Sequence, residues 1–309
     1  MLTLSIVVPV FNEQGLIKEL MNQLKLNLNG LTEDYEIVII DDGSKDDTWE
    51  KIKVAASQDK RVKGLKLSRN FGHHYAITAG LHNAKGKWVV VMDGDLQDRP
   101  EVIPHLFKKA NEGNDVVFVN RKNRTESYSY ILLQRIYYKM LNYLSGVKFN
   151  PEQANFSIIN RKVVEAFIEF PENARFYAST IKWLGFKTAS IDAEHGKRFI
   201  GKPSYTFKKR IKLATDVIIA FSDRPLKVAI NLGIFISLIS FLFLLWFVLK
   251  WFFVGVTVNG WFSLIFFTLF LGGIMLIVLG IIGVYIGRIY TEVKKRPLYV
   301  IDESTTNLF

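Results

Sequence analysis

The first 120 residues alternate between short apolar runs and longer stretches whose apolar residues recur at helical spacing. Five runs read as strands: LSIVVPV (4–10), YEIVIID (35–41), VKGLKLS (62–68), KWVVVMD (87–93) and DVVFVN (115–120). Between them, the patterns over 13–28, 46–57, 73–84 and 100–112 predict helices. Asp46 is a candidate helix cap, and Pro100 suits a first helical turn. Near-continuous apolar strands joined by helical crossovers predict an α/β domain with a mainly parallel sheet and helices on both faces. The first run has no Lys or Arg ahead of it and is broken by Pro9, so it reads as a buried strand rather than a secretory signal.

The last third follows a different rule. From Val228 to Leu249, and again from Trp261 to Gly287, the chain carries no charged residue. At ~1.5 Å per helical residue, each stretch is long enough to cross a hydrocarbon layer of ~30 Å. Only Lys250 is charged in the connector up to Gly260, which predicts a tight transmembrane hairpin. Cations crowd its outer flanks, from Lys197 to Lys227 before it and from Arg288 to Arg296 after it. Both termini are therefore expected on the cytoplasmic side of a plasma (inner) membrane. Residues 203–222 and 127–147 mix Tyr, Leu and Ile with Lys and Arg, as interfacial helices do. The expected organisation is a soluble domain over 1–202, a juxtamembrane helix over 203–226, the two spans within 227–288 and a cytoplasmic tail over 289–309. Glycines in GGIMLIVLG permit close helix contact, within the hairpin or in a homo-oligomer.

Composition narrows the chemistry. The sequence has no Cys, which excludes disulfides, thiolate nucleophiles and Cys-based zinc sites. A formal net charge of +11 fits nucleic acid, an anionic membrane surface or phosphorylated substrates. The cations gather on the membrane flank rather than along an aromatic-lined groove, which disfavours nucleic acid.

In open sheets of this kind, ligands sit beyond the carboxyl ends of the strands. That rule puts PVFNE (9–13), DDGS (41–44), SRNFG (68–72) and DGDLQD (93–98) on one rim. No G-x-G-x-x-G follows the first strand and no G-x-x-x-x-G-K-[ST] occurs, so a dinucleotide fold and a P-loop are disfavoured. Clustered carboxylates repel one another and are costly to desolvate, so a positive partner is expected. Asp93 and Asp95, two apart at a strand end, would share a side and approach one divalent ion of the Mg²⁺ or Mn²⁺ type. Asp98 is expected to cap the helix at Pro100, and Asp41 to hold its own turn. His73 and His74 read as surface or donor-loop residues, and His195 is given no chemistry.

The successive segments SIVVPVFNE, IIDDGSKDDT, SRNFGHHYAITAGLHNAKG and VVVMDGDLQDRPEVIP resemble the motifs of family 2 glycosyltransferases with the GT-A fold. With the two C-terminal spans, the chain resembles the polyprenyl-phosphate glycosyltransferases, the group of bactoprenol glucosyltransferases and dolichol-phosphate mannose synthases. The likeness covers nearly the whole chain. It implies that Pro9, Phe11, Glu13 and Asp42 line a nucleotide pocket, with Gly94 part of the donor site. It further implies that Asp93 and Asp95 are the catalytic D-x-D pair holding Mg²⁺ or Mn²⁺ on the donor diphosphate, with Gln97 beside the sugar. Arg121 and Arg124 would face phosphates of donor or acceptor, and Arg198 would lie in a catalytic basic loop. Two departures stand out. Asn155 occupies the place of an acidic residue in relatives, and Ser204 that of a lysine, with Lys202 two residues earlier as a substitute on the acceptor phosphate.

The reaction so implied is inverting transfer from a nucleoside diphosphate sugar to a polyprenyl phosphate. Undecaprenyl is preferred to dolichol as carrier, and the product would serve cell-envelope glycan modification such as that of lipopolysaccharide. The attacking phosphate oxygen is already ionised near neutral pH, so no strong general base is needed. Two rivals are a processive polysaccharide synthase and a non-catalytic assembly subunit. The first lacks its Q-x-x-R-W segment here, and intact Asp42, Asp93 and Asp95 oppose the second.

Overall fold

The computed structural model describes residues 2–122, 139–140, 142–143, 153–173, 175–194, 196, 218, 222–254 and 260–306. Strands β1 (Leu4–Val10), β2 (Tyr35–Asp41), β3 (Val62–Leu67), β4 (Trp88–Val91) and β5 (Val116–Lys122) alternate with helices α1 (Ile17–Asn29), α2 (Thr48–Gln58), α3 (His73–Asn83) and α4 (Ile103–Asn111). A single 3₁₀ turn, Pro100–Val102, precedes α4 and begins on the proline. All five expected strands end within two residues of the positions the apolar runs suggested; β5 begins one residue late and runs two past the expected Asn120.

Eight strands form one sheet in the order β7-β5-β6-β4-β1-β2-β3-β8. The central β4-β1-β2-β3 pairings are parallel. Three strands were not anticipated: β6 (Gln153–Asn160), β7 (Thr188–Glu194) and β8 (Ile301–Ser304). Strand β6 runs antiparallel between β4 and β5, so one edge of the sheet is mixed. Helices α5 (Arg161–Glu169) and α6 (Tyr177–Trp183) complete this unit.

Alternation along β1 divides the core. Leu4, Ile6, Val8 and Val10 pack with Leu20, Leu24 and Leu28 of α1, whereas Val7 packs on the opposite face with Ala76, Ile77 and Leu81 of α3. All seven β1 residues are buried, which is the reason the run carries no polar alternation. Burying each such Val, Leu or Ile contributes about 1.5–3 kcal/mol.

The last strand arrives after the two apolar helices. Strand β8 pairs antiparallel with β3, and Thr305 exchanges hydrogen bonds with Gly64. The Trp49 indole N–H and the Lys66 ammonium both reach Glu303, each at 2.8 Å. The described residues of the tail, 297–306, thus fold with the first unit.

A second unit groups residues 140–146 with 207–296. Its long helices are α7 (Arg224–Val254) and α8 (Trp261–Val293). They contain the expected spans and are long and apolar enough to cross a membrane. Their large side chains face outward, with Phe235 60% and Leu276 71% exposed. In water this is unfavourable, and in lipid it is the normal arrangement. The expected interfacial segments 127–147 and 203–222 lie outside the described residues, except for 139–140, 142–143, 218 and 222.

Candidate active site

The sheet reverses its winding between β1 and β4. Strand β2 leaves on one side of β1 and β4 lies on the other, the kind of switch point beyond which ligands sit in open α/β sheets. Short-range contacts knit this rim together. The Asp42 N–H donates to the Val10 carbonyl at 2.9 Å. Asn12 is held in the left-handed region (φ 55°), its N–H donating to Ser44 Oγ and its Oδ1 accepting from the Lys45 N–H, both at 2.8 Å. The Glu13 N–H donates to Thr48 Oγ1, also at 2.8 Å. Gly43, at φ +71°, packs so tightly on the next loop that a Cβ would stand 2.4 Å from the Arg69 carbonyl carbon.

Strand β4 stops at Val91, two residues before the sequence pattern suggested. Asp93 and Asp95 therefore lie in the turn beyond the sheet, and strand alternation is not what sets their direction. Asp95 Oδ1 accepts the Gln97 N–H at 3.1 Å, closing a tight local turn in which Leu96 takes a positive φ of 59°. Gly94 passes directly against β1, with its missing Cβ 3.3 Å from the Pro9 carbonyl oxygen. Pro9 itself is buried inside β1, so what it offers the rim is that carbonyl. Phe11, the residue after β1, is 42% exposed.

Asp93 is the electrostatic centre. His73 Nε2 lies 3.2 Å from its Oδ1, and Arg121 Nη2 3.9 Å from its Oδ2. Burial alone would raise the Asp93 pKa, but the two cations outweigh it and hold the carboxyl below its ordinary value. Burial likewise pulls His73 down, and Asp93 more than compensates, so the imidazole is raised above its usual range. The next residue, His74, is half-buried without such a partner, and desolvation pulls it down to about 3. Asn155, from β6, brings its amide nitrogen to 3.3 Å from His73 Nε2. Sequence reasoning missed His73 as a member of this cluster. The available signal was its position directly after SRNFG, which the rim rule had already placed at the site.

One acidic residue behaves otherwise than expected. Asp98 does not cap the helix at Pro100, and the residue preceding that turn has no side-chain cap. Its carboxylate folds back instead, accepting from the Asp93 N–H and from Arg121, both at 3.2 Å. Arg121 offers a stronger charge-assisted partner than a helix end does. Burial and the neighbouring Asp93 push Asp98 up to about 7 against the pull of Arg121. Asp42 is also buried, and its carboxylate accepts the backbone N–H groups of Phe71 (2.8 Å) and Gly72 (3.0 Å). It therefore shapes the loop that presents His73. Asp41 holds its own turn through the Ser44 N–H, as expected. Asp46 accepts from the Thr48 N–H at 3.1 Å, at the start of α2.

The site's donor set suits a hard divalent ion in part. Asp93 Oδ1 is buried and makes no hydrogen bond of good geometry, although His73 Nε2 stands 3.2 Å from it, so an ion bound there would take the place of that contact. Among the described residues, no group of three or more His, Asp or Glu side chains is arranged to hold a metal ion. Two carboxylates would leave the remaining positions to substrate phosphate and water, which is how Mg²⁺ is commonly held. Gly196, the last described residue before the basic run, donates its N–H to the Gln97 carbonyl at 3.0 Å. Arg124, Arg198, Lys202, Ser204 and His195 lie outside the described residues.

Comparison with known proteins places this geometry in a context. The profile of glycosyl transferase family 2 matches residues 5–168. The uncharacterized glycosyltransferase YkcC of Bacillus subtilis is 38% identical over 301 residues, spanning 97% of this chain and 93% of that protein. The SfII prophage-derived bactoprenol glucosyl transferase of Shigella flexneri is 38% identical over 302 residues, spanning 97% and 98%. Among solved structures, a mannosyltransferase from Pyrobaculum calidifontis in complex with GDP-Man and Mn²⁺ superposes with a TM-score of 0.51 at 17% identity. It covers 70% of this chain and 63% of that one, a likeness of fold.

Proposed function

Because the chain belongs to glycosyl transferase family 2, we propose that it moves a sugar from a nucleoside diphosphate sugar to a polyprenyl phosphate, most simply undecaprenyl phosphate, at a membrane surface. The observation that carries this reading is Asp93. It is a half-buried carboxylate at the sheet's switch point, held below its ordinary pKa by His73 and Arg121, in a chain whose relatives include bactoprenol glucosyl transferases.

A divalent ion bound by Asp93 and Asp95 would supply Lewis-acid stabilisation of the departing diphosphate. The chain's own residues do the rest. Phe11 presents a ring on which a base can stack, while Asn12 and Glu13 are fixed by Ser44 and Thr48. Gly94 lets the backbone of the D-x-D turn approach β1, which sets where its two carboxylates stand. Arg121, pinned by Asp98, offers a planar guanidinium to a phosphate without loss of position. Displacement by an already ionised acceptor oxygen inverts the anomeric centre and needs no general base. Arg124, Arg198, Lys202 and Ser204 are assigned to the acceptor side by sequence.

The membrane reading rests on the apolar helices α7 and α8 and on the fold of the tail. Strand β8 follows the second helix yet pairs with β3, which precedes the first. A soluble unit cannot be divided by a bilayer, so α7 and α8 together must cross an even number of times. With the basic flanks, this supports a hairpin whose ends both face the cytoplasm. The test is to incubate detergent-purified protein with a panel of nucleotide sugars, undecaprenyl phosphate and Mn²⁺, and to analyse the lipid by mass. A polyprenyl-phosphate monosaccharide is expected. Transfer to a soluble acceptor alone, or a long polymer, would overturn the assignment.

A further inference from the structure

Both oxygens of Asp93 already face a basic side chain from the chain itself. Arg121 lies on the Oδ2 side and is tied down by Asp98. His73 lies on the Oδ1 side, and its contact is of a different kind. Nε2 stands at 3.2 Å but forms no well-aligned hydrogen bond to Oδ1. The imidazole opens α3, with about a third of the side chain exposed, and its ring meets His74 edge to face. The Asn155 amide reaches the same Nε2. One ring nitrogen cannot donate to a carboxylate and accept from an amide N–H at once, so the amide must present its oxygen whenever His73 donates to Asp93. A neutral amide can make that half-turn and serve either state of the ring. A carboxylate at 155 could only accept.

We propose that His73 is a positioning residue that occupies the metal-facing oxygen of Asp93 until the donor arrives, so that the divalent ion enters together with the nucleoside diphosphate rather than alone. This rests on the metal reading given above. The physical argument is competition: Asp93 and Asp95 supply only two carboxylates, and a bare ion must displace His73 from one of them. An ion bridged to a diphosphate brings further oxygen ligands that offset the displacement. Asn155 receives the ring as it leaves, which gives the departure from an acidic residue at that position a mechanical consequence.

The experiment measures Mn²⁺ affinity of the full-length protein in detergent by the electron paramagnetic resonance of unbound Mn²⁺. Each form is measured without nucleotide and with a saturating nucleoside diphosphate, and a thermal melt confirms folding. Without nucleotide, His73→Gln is expected to bind Mn²⁺ at least fivefold more tightly than the unsubstituted protein, and His73→Lys, which keeps a basic side chain there, to remain weak. With nucleotide, the three forms are expected to converge. Equal or weaker binding by His73→Gln without nucleotide overturns the proposal, since His73 would then be a bystander or a ligand. Tight binding by His73→Lys overturns it as well. If no form binds Mn²⁺ even with nucleotide, the metal reading itself falls and this inference falls with it.

Discussion

Gly94 lies against Val10 so closely that a methyl group at position 94 would stand 2.5 Å from Val10 Cγ1 and 3.0 Å from Glu13 Oε2. This contact sets the distance between the D-x-D turn and the end of β1. Gly94→Ala is expected to cost about 1–3 kcal/mol of stability, the usual scale for overpacking a buried site. Transfer activity should fall further than the melting shift explains, because both carboxylates move with the turn. Equal activity per folded molecule would show that the close approach has no part in the reaction.

Asp93→Asn and Asp95→Asn should each reduce sugar transfer by roughly 10²-fold or more, the scale of losing one preorganised electrostatic partner. Their melting temperatures should change far less than their turnover. Chelation by EDTA should stop turnover in the unsubstituted protein, and Mg²⁺ or Mn²⁺ should restore it. Full activity in the presence of EDTA would separate the carboxylates from any metal.

Glu36 is one carboxylate through which acid should act on stability. It is buried in β2, accepts from Ser5 Oγ at 2.6 Å and from the Lys85 N–H at 2.5 Å, and pairs with Lys63. Burial alone would raise it, but Lys63, Ser5 and the Lys85 N–H together lower it below the ordinary value of 4.5. A carboxyl depressed on folding stabilises the native state above its unfolded pKa and loses that contribution as pH falls through the folded value. Melting temperature should therefore decline below about pH 4.5. Glu36→Gln should lower it at pH 7 by an amount equivalent to about 1–3 kcal/mol and flatten the acid decline. A variant that declines as steeply as the parent would assign the acid sensitivity elsewhere.

The pairing of β8 with β3 makes a topological prediction that the sequence allows to be tested cleanly, since the chain has no cysteine. Single cysteines at Val258, in the connector, and at Thr305, beyond β8, should react with a membrane-impermeant maleimide from opposite sides of sealed vesicles. Labelling of both from one side would exclude a hairpin. Glu303→Ala, which removes the partner of Trp49 and Lys66, should lower the melting temperature modestly, by about 1 kcal/mol, without altering the labelling pattern.

The sequence by itself determined the parallel centre of the sheet, its four central helices and the two apolar spans. These follow from local periodicity and from runs too apolar to remain in water, and both are properties of neighbours in the chain. It also placed the rim motifs, because the strand-end rule requires only strand order. Tertiary structure decided what lay beyond local pattern. Strand β6 carries polar residues and is fixed by its antiparallel pairing with β4 and β5. Strand β8 is a four-residue segment held by β3 from more than two hundred residues away. His73 meets Asp93, and Asn155 meets His73, because segments distant in the chain converge on one rim. Asp98 turned from a helix cap into the partner of Arg121 because burial beside a cation outweighs a helix end. Spacing along the chain supplied the candidate carboxylates, and only their surroundings in space decided which charge each one faces.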